Sequence, residues 1–248
     1  MATVEVDILG MKIIWLGQSC FQLVVNLNKE EKVVIVIDPF SSEVGFKLPR
    51  VKADILLVSH CHSDHSNVKG VLGEPFLATE PGEYEIKNIF IKGISAFHDS
   101  VGGKERGKVT IYKIEAEDLK ICHLGDLGQE ELTNSQIGEI GSVDILMIPV
   151  GGVYTIGAKT AAKIISQVEP KIVIPMHYKI PKLKIRTMPR SARQNLDSSL
   201  HSEIKLESLD DFFKIMGQKM DESVPLDKLS IKARDLPEEG LKLIVMKP

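Results

Sequence analysis

The sequence Ser59-His60-Cys61-His62-Ser63-Asp64-His65 follows the apolar run 55–58, at the point where a buried strand is expected to end. In an extended segment alternate side chains lie on the same face, so His60 and His62 are expected to point the same way. Two imidazole nitrogens on one side form the beginning of a tetrahedral site for zinc or a similar metal. The last two residues of the stretch follow the expected turn and can serve a second ion. The pattern therefore indicates a metal site rather than a polar loop of solvated histidines.

Composition and charge restrict the class of protein. The 248 residues make one large domain or two small ones, with an apolar content typical of a globular protein. The net charge of -3 speaks against a general nucleic-acid binder. No apolar run approaches the roughly 18 residues that a membrane span requires, and the N-terminal residues do not resemble a signal peptide. Three scattered cysteines fit reduced thiols better than a disulfide framework, so we expect a cytoplasmic protein.

Hydrophobic periodicity predicts strands in the first half of the chain and alternating helices and strands afterwards. The expected strands lie at 12–17, 20–26, 32–37, 51–58, 76–78, 84–86, 89–97, 109–115, 119–124, 144–149, 171–176, 229–232 and 241–246. The expected helices lie at 66–72, with Ser66 as N-cap, and at 130–140, 157–168 and 208–216. The alternation after residue 130 implies partly parallel strands covered by helices.

Polar side chains stand at five predicted strand ends, namely Asp38, the cluster 60–65, His98, Asp126 and His177. The ends of parallel strands open into a common crevice, so metal or catalytic ligands are expected to gather there. Five of the seven histidines belong to this set. His123 has the opposite strand parity to this set, which predicts a packed side chain rather than a ligand.

With these five motifs in this order and at similar spacing, the sequence resembles the metallo-β-lactamase superfamily over nearly its whole length. The segments Met11-Lys12-Ile13-Ile14-Trp15-Leu16-Gly17 and Pro149-Val150-Gly151-Gly152 are similar to the branch that contains ascorbate-6-phosphate lactonase and N-acyl-phosphatidylethanolamine phospholipase D. The resemblance implies a four-layer αββα sandwich, in which two mixed sheets pack face to face with helices outside. It also implies one domain over 1–248, with residues 1–10 as an N-terminal extension.

The same resemblance implies two metal ions and a role for each polar strand end. The first ion would be held by His60, His62 and His98, and the second by Asp64, His65 and His177, with Asp126 bridging both. Asp38 would orient the histidine loop from outside, since metal-bound imidazoles usually need a partner on the other nitrogen. Zinc is the expected metal, although mixed imidazole and carboxylate ligation also suits manganese, iron and nickel.

Two divalent ions about 3.5–4 Å apart lower the pKa of a shared water toward neutrality and yield hydroxide. The ions also polarise the carbonyl or phosphoryl group under attack. Asp64 and Asp126 are the predicted catalytic carboxylates, and Asp126 is expected to hold the attacking hydroxide. No serine or cysteine triad and no phosphate-binding loop motif competes with this interpretation.

Substrate contacts are predicted at a different set of positions. Gln18 stands where relatives often have histidine, which leaves it a substrate-side candidate, and Tyr178 follows a predicted ligand. The basic loop 179–202 breaks the alternating pattern and carries Lys182, Lys184 and Arg186. It is interpreted as a lid that favours anionic substrates, with a solvated basic insertion as the alternative.

Three functions remain open from the sequence. The first is a metal-dependent hydrolase of an ester, a lactone or a phosphate-bearing small metabolite. The second is a phosphodiesterase or nuclease, which the basic loop favours but the short chain and acidic net charge oppose. The third is a non-catalytic metal-binding protein of the same fold, which the complete set of donors opposes. A small-molecule substrate is the expected partner, and a homo-oligomer is also compatible with the sequence.

Overall fold

Apolar residues form the first three strands, and they alternate with partly exposed ones in the first. The computed structural model describes residues 10–45, 47–180, 206–219 and 224–248, together with the backbone of Arg186–Thr187 and Ser202–Glu203. Strand β1 (Met11–Gly17) buries every second residue, as expected for a strand with one face in the core. It pairs antiparallel with β2 (Cys20–Asn26), which in turn pairs antiparallel with β3 (Lys32–Ile37).

The first sheet changes from antiparallel to parallel pairing at β3, and this change positions part of the site. The strands β4 (Ile55–Leu57) and β5 (Phe76–Ala78) extend the sheet parallel to β3, and β14 (Leu229–Ile231) pairs with β1 at the other edge. The carboxyl ends of β3 and β4 therefore lie side by side. The backbone N–H of Asp38 donates to the carbonyl of Leu57 at 2.9 Å, which joins these two ends directly.

The second sheet has the same mixed character. Its strands, in spatial order, are β15 (Lys242–Leu243), β11 (Ile172–Met176), β10 (Ile145–Pro149), β9 (Leu119–His123), β8 (Lys108–Ala116), β7 (Ile89–Phe97) and β6 (Gly82–Ile86). The strands β6 to β9 pair antiparallel, whereas β9, β10, β11 and β15 are parallel. The ends of the parallel strands lie along one edge of this sheet.

The main core lies between the two sheets and draws on both of them. Ile13, Phe21 and Ile35 of the first sheet belong to the same buried cluster as Ile111 and Ile121 of the second. The strands β3 and β4 are buried on both faces, because Val36 and Leu56 pack into a separate cluster with the segment that follows β3. Near-continuous apolar runs are expected where both faces of a strand are covered.

The described residues contain three α-helices, and each begins with a polar or glycine cap. They are α1 (Asn134–Ile140), α2 (Ala158–Val168) and α3 (Leu209–Ile215). Thr133 and Gln136 form a reciprocal capping box at the start of α1. Ile164 and Ile165 of α2 face the core. The predicted sandwich of two mixed sheets with outer helices is confirmed, and no helix in the described ranges is long and apolar enough to cross a membrane.

Several predicted boundaries were wrong. The helix expected at 66–72 is a single 3-10 turn, Val68–Gly70, which Asn67 precedes, because the Ser66 hydroxyl instead donates to the carbonyl of His62 at 2.8 Å. The strand expected at 51–58 is limited to β4. The helix expected from residue 130 starts at Asn134, where the capping box satisfies its first N–H groups.

Two sequence predictions concern segments that lie mostly outside the residues that the structure describes. The predicted extension lies almost wholly outside the described residues, which begin at Gly10. Lys182 and Lys184 of the basic loop also lie outside them. For Arg186 only the backbone is described, where Arg186–Thr187 (β12) pairs antiparallel with Ser202–Glu203 (β13).

Candidate metal centre

The histidine loop between β4 and the 3-10 turn is held in shape by the carboxylate of Asp38. Its Oδ1 atom accepts the backbone N–H of Ser59 at 2.7 Å, and its Oδ2 atom accepts the Ser59 hydroxyl at 2.6 Å. Oδ2 also lies 3.0 Å from Nδ1 of His65. Burial alone would raise the pKa of Asp38, but the hydrogen bond and the charge of His65 lower it below its usual value. The carboxylate thus ties together the two ends of the loop.

One group of donor atoms consists of His60 and His62 from this loop and His98 from the end of β7. Their nitrogens lie within 4.8 Å of one another, and Nδ1 of His62 is 3.3 Å from Nε2 of His98. Burial lowers the pKa of His60 to about 3 and that of His98 to about 4. Both rings are therefore neutral near pH 7, so their nitrogen lone pairs remain available.

A second group of donor atoms lies beside the first and consists of Asp64, His65, Asp126 and His177. Nε2 of His65 lies 3.4 Å from Oδ2 of Asp64 and 3.1 Å from Oδ2 of Asp126. Nε2 of His177 lies 3.4 Å from the same Asp126 oxygen. The rings of His65 and His177 are nearly parallel, with centroids 6.0 Å apart. Four residues from three strand ends thus converge on one small volume.

Asp126 belongs to the second group and also faces the first. Its Oδ2 atom also lies 3.8 Å from Nε2 of His98, so it faces nitrogens of both. Its other oxygen, Oδ1, accepts the hydroxyl of Ser19 at 3.1 Å. Burial would raise the pKa of Asp126, but the charges of His177 and His65 hold it well below its usual value. The carboxylate is therefore anionic at neutral pH.

The turn that presents Asp126 requires a glycine. Gly125 has a φ of 53°, and a Cβ at this position would lie 2.8 Å from side-chain atoms of both Ser59 and Val109. A residue with a Cβ would be strained by the left-handed backbone and would clash with these atoms. Glycine is therefore the residue of lowest energy at this position. The glycine therefore allows the β9 end to approach the histidine loop.

The donor chemistry fits divalent metal ions. Nε2 of His60 is buried and has no hydrogen-bond partner in the part of the chain that the structure describes. Buried polar atoms nearly always have a hydrogen-bond partner or a bound ion, so a buried nitrogen without a partner is expected to bind a ligand. Imidazole nitrogens that converge with the carboxylates of Asp64 and Asp126 are a common donor set for zinc and other borderline metals.

All seven donors predicted from the sequence are brought together, whereas other predicted residues occupy different environments. Tyr178 is 5% exposed and packs against Trp15, with ring centroids 5.3 Å apart, and burial raises its pKa. His123 is packed as predicted, with Nε2 2.9 Å from the carbonyl of Ser19. Gln18 is 1% exposed and lies beside His177.

The sequence did not predict that Asp99 organises the loop beside the site. We call this loop, residues 99–107, the rim. The Asp99 carboxylate accepts four backbone N–H groups, those of Val101, Gly103, Glu105 and Arg106. These bonds lower the pKa of Asp99 to about 2 against the opposing effect of burial. A carboxylate directly after His98 and before a glycine-rich turn was the available signal.

Arg106 links this rim to the loop that precedes α2. Its Nη1 atom donates to the carbonyl of Val153 at 3.1 Å, and its guanidinium lies 4.3 Å from the ring centroid of Tyr154. The backbone N–H of His98 donates to the carbonyl of Gly107 at 3.0 Å, so the rim and the donor group are directly connected. The Arg106 charge contributes to lowering the pKa of His98, after burial and the nearby His62 and His65.

A family model described as "Beta-lactamase superfamily domain" matches residues 12–177, which include every donor of the two groups. The chain belongs to the metallo-β-lactamase superfamily. It is 32% identical over 200 residues to a UPF0173 metal-dependent hydrolase of Methanosphaera stadtmanae, covering 68% of this chain and 84% of that protein. A UPF0173 metal-dependent hydrolase of Thermococcus onnurineus is 29% identical over 198 residues, again with 68% and 84% coverage.

A solved structure extends the likeness to nearly the full length. A proposed zinc-dependent hydrolase of the metallo-β-lactamase superfamily from Thermotoga maritima is 34% identical, with a TM-score of 0.70 and coverage of 95% of this chain and 98% of that one. The chain thus belongs with the UPF0173 metal-dependent hydrolases of the superfamily. The prediction of an enzyme of this superfamily is confirmed, but the narrower resemblance to the ascorbate-6-phosphate lactonase branch is not.

Proposed function

We propose that this chain hydrolyses an ester, lactone or phosphate-bearing small molecule, using two divalent ions held at the strand ends. One ion would be held by His60, His62 and His98, the other by Asp64, His65 and His177, and Asp126 would bridge them. One observation carries the proposal: a single oxygen of Asp126 lies 3.1, 3.8 and 3.4 Å from ring nitrogens of His65, His98 and His177.

Divalent ions at these positions would supply Lewis acidity and lower the pKa of a water molecule toward neutrality. Zinc matches the donors best, and manganese or iron also suit a mixed nitrogen and oxygen set. The residues of the chain supply the rest of the chemistry.

Two carboxylates would orient the attacking water. The hydrogen bond from Ser19 directs Oδ1 of Asp126, which leaves Oδ2 turned toward the imidazoles. The charge of His65 lowers the pKa of Asp64 against the effect of burial, and the Asp64 side chain is 25% exposed, so this carboxylate faces the open side of the site. Anionic carboxylates at these two places can accept hydrogen bonds from a water molecule and align it with a substrate.

An anionic substrate is favoured by the rim. Arg106 carries a positive charge whose effect reaches His98, and its guanidinium is held by Val153 and Tyr154. A guanidinium fixed in this way retains N–H groups that can bind a carboxylate or phosphate of the substrate. The separate proposal that Lys182, Lys184 and Arg186 form a lid for anionic substrates concerns residues whose side chains lie outside the described part of the chain.

The proposed function is tested by an activity screen of metal-reconstituted protein against lactones, phosphodiesters and phosphomonoesters. Elemental analysis of the same samples is expected to show about two ions per chain. The combined substitutions His60→Ala and His62→Ala should lower that number and abolish turnover, and chelated parent protein serves as the metal-free control. A folded protein that stays metal-free in metal-replete buffer would contradict the two-ion site. Full metal loading without turnover of any substrate class would favour a non-catalytic metal-binding protein instead.

A further inference from the structure

Gln18 brings an uncharged amide to the second group of donor atoms. Its Nε2 atom lies 3.0 Å from Nε2 of His177, and the residue is 1% exposed. Its Oε1 atom is buried and has no hydrogen-bond partner among the described residues. A buried amide normally satisfies both its donors and its acceptor. Oε1 can be satisfied only by a donor, so the group through which this amide could meet a substrate oxygen is its Nε2 atom, which lies against the second group.

The backbone of Gln18 is held independently of the amide. Its carbonyl oxygen accepts the indole N–H of Trp15 at 2.9 Å and the backbone N–H of His177 at 3.2 Å. Its φ of 54° lies in the left-handed region, which residues with a Cβ rarely adopt. These backbone contacts hold the residue beside His177, and they do not depend on the chemistry of the side-chain amide.

The ring nitrogen beside the amide is itself a member of the donor group. Nε2 of His177 faces Oδ2 of Asp126 at 3.4 Å. A nitrogen that gives its lone pair to a cation has none left to accept a hydrogen bond. In the metal-loaded protein the N–H groups of Gln18 are therefore available to an oxygen atom of the substrate.

We propose that Gln18 donates a hydrogen bond to the substrate oxygen that gains negative charge during hydrolysis. The proposal rests on the proposed function and adds a neutral amide donor to the imidazoles and carboxylates of the two donor groups. A neutral N–H donor stabilises the developing charge without competing with the donor atoms for the cation. Removing one such donor from a site that excludes water typically lowers kcat by about 10²–10³-fold.

The test replaces Gln18 by methionine, which has a similar length but neither an N–H donor nor a carbonyl acceptor. The matched control is Gln22→Met, four residues further along at a partly buried position on β2 that contributes to neither donor group. We expect Gln18→Met to keep its metal content and to bind inorganic phosphate about tenfold or more weakly, measured by titration calorimetry on the metal-loaded protein. With an active substrate, kcat should fall by about 10²-fold with a smaller change in KM.

Gln18→Asn provides a second variant if Gln18→Met folds poorly. Asparagine tolerates a left-handed backbone and keeps the amide, but its side chain is one methylene too short to reach the same place. The expected result is the same loss of phosphate binding with unchanged metal content.

Two results would overturn the proposal. The first is phosphate binding and kcat in Gln18→Met equal to those of Gln22→Met. The second is a loss of metal from Gln18→Met, which would show that the amide supports the ions rather than the substrate. Phosphate binding needs no turnover, so this failure is distinct from that of the proposed function, which would appear as an inactive parent protein.

Discussion

Nδ1 of His65 lies 3.0 Å from Oδ2 of Asp38, although the two residues are 27 positions apart in the chain. Asp38 directly follows β3 and His65 lies in the loop that follows β4, so the parallel pairing of these strands brings them together. The contact leaves Nε2 of His65 directed at Asp64 and Asp126. A buried carboxylate thus orients an imidazole from the side opposite to the candidate metal.

Asp38→Asn is expected to weaken metal binding or activity by about 10–100-fold, the usual effect of losing such an outer partner. The amide keeps the shape but removes the charge that orients His65. Asp126→Asn should instead abolish turnover, because Asp126 faces both donor groups. The measurements are metal affinity by chelator competition and kcat. Asp54→Asn is the control, since Asp54 caps the backbone of Val34 and pairs with Lys87 away from the site. Equal behaviour of Asp38→Asn and Asp126→Asn would refute these roles.

Gly125→Ala should destabilise the protein by about 1–3 kcal/mol, because the new methyl would press on Ser59 and Val109 in a left-handed turn. Gly138→Ala is the matched control in α1, where a Cβ meets nothing within 4 Å. It should stabilise the protein by up to about 1 kcal/mol through helix propensity. Urea unfolding of both variants measures the difference. A Gly125→Ala variant as stable as the parent would show that the turn can relax without strain.

Asp99 should make stability depend on acid pH. Its pKa is about 2 in the folded protein, mainly because four backbone N–H groups favour the charged form despite burial, whereas an unfolded aspartate titrates near about 3.9. The stabilisation is therefore complete above about pH 4 and is lost as the pH falls toward 2. Asp99→Asn should flatten the dependence of the unfolding free energy in this window, while Asp118→Asn, in an exposed turn, should leave it unchanged. Parallel pH curves for Asp99→Asn and the parent would contradict this account.

Arg106→Gln should raise KM for anionic substrates several-fold while leaving that for neutral ones nearly unchanged, since the guanidinium is the charge fixed at the rim. The difference should shrink as salt concentration rises. Lys104→Gln removes an exposed charge from the same turn and is the control. Equal losses on neutral and anionic substrates would mean that Arg106 only braces the two loops.

The donors of the candidate metal centre could be predicted because their chemistry is local. Histidine and aspartate directly after apolar strand runs are typical of metal ligands, and the stretch 60–65 alone places four candidate donors within six residues. The strands could also be predicted, because burial determines the order of residue types. Burial alternates along β1, whereas β3 is buried on both faces and is a nearly continuous apolar run.

The tertiary structure decided the contacts that join distant segments. Ser19 meets Asp126 across 107 positions, and Gln18 meets His177 across 159, and nothing in the intervening sequence marks either contact. Arg106 reaches Val153, 47 positions away, from a loop whose backbone N–H groups bind Asp99. Sequence patterns report which residue types a strand end carries. The pairing of strands and the packing of the two sheets determine which strand ends become neighbours, and a hydrogen bond or an ion site needs neighbours within a few ångströms.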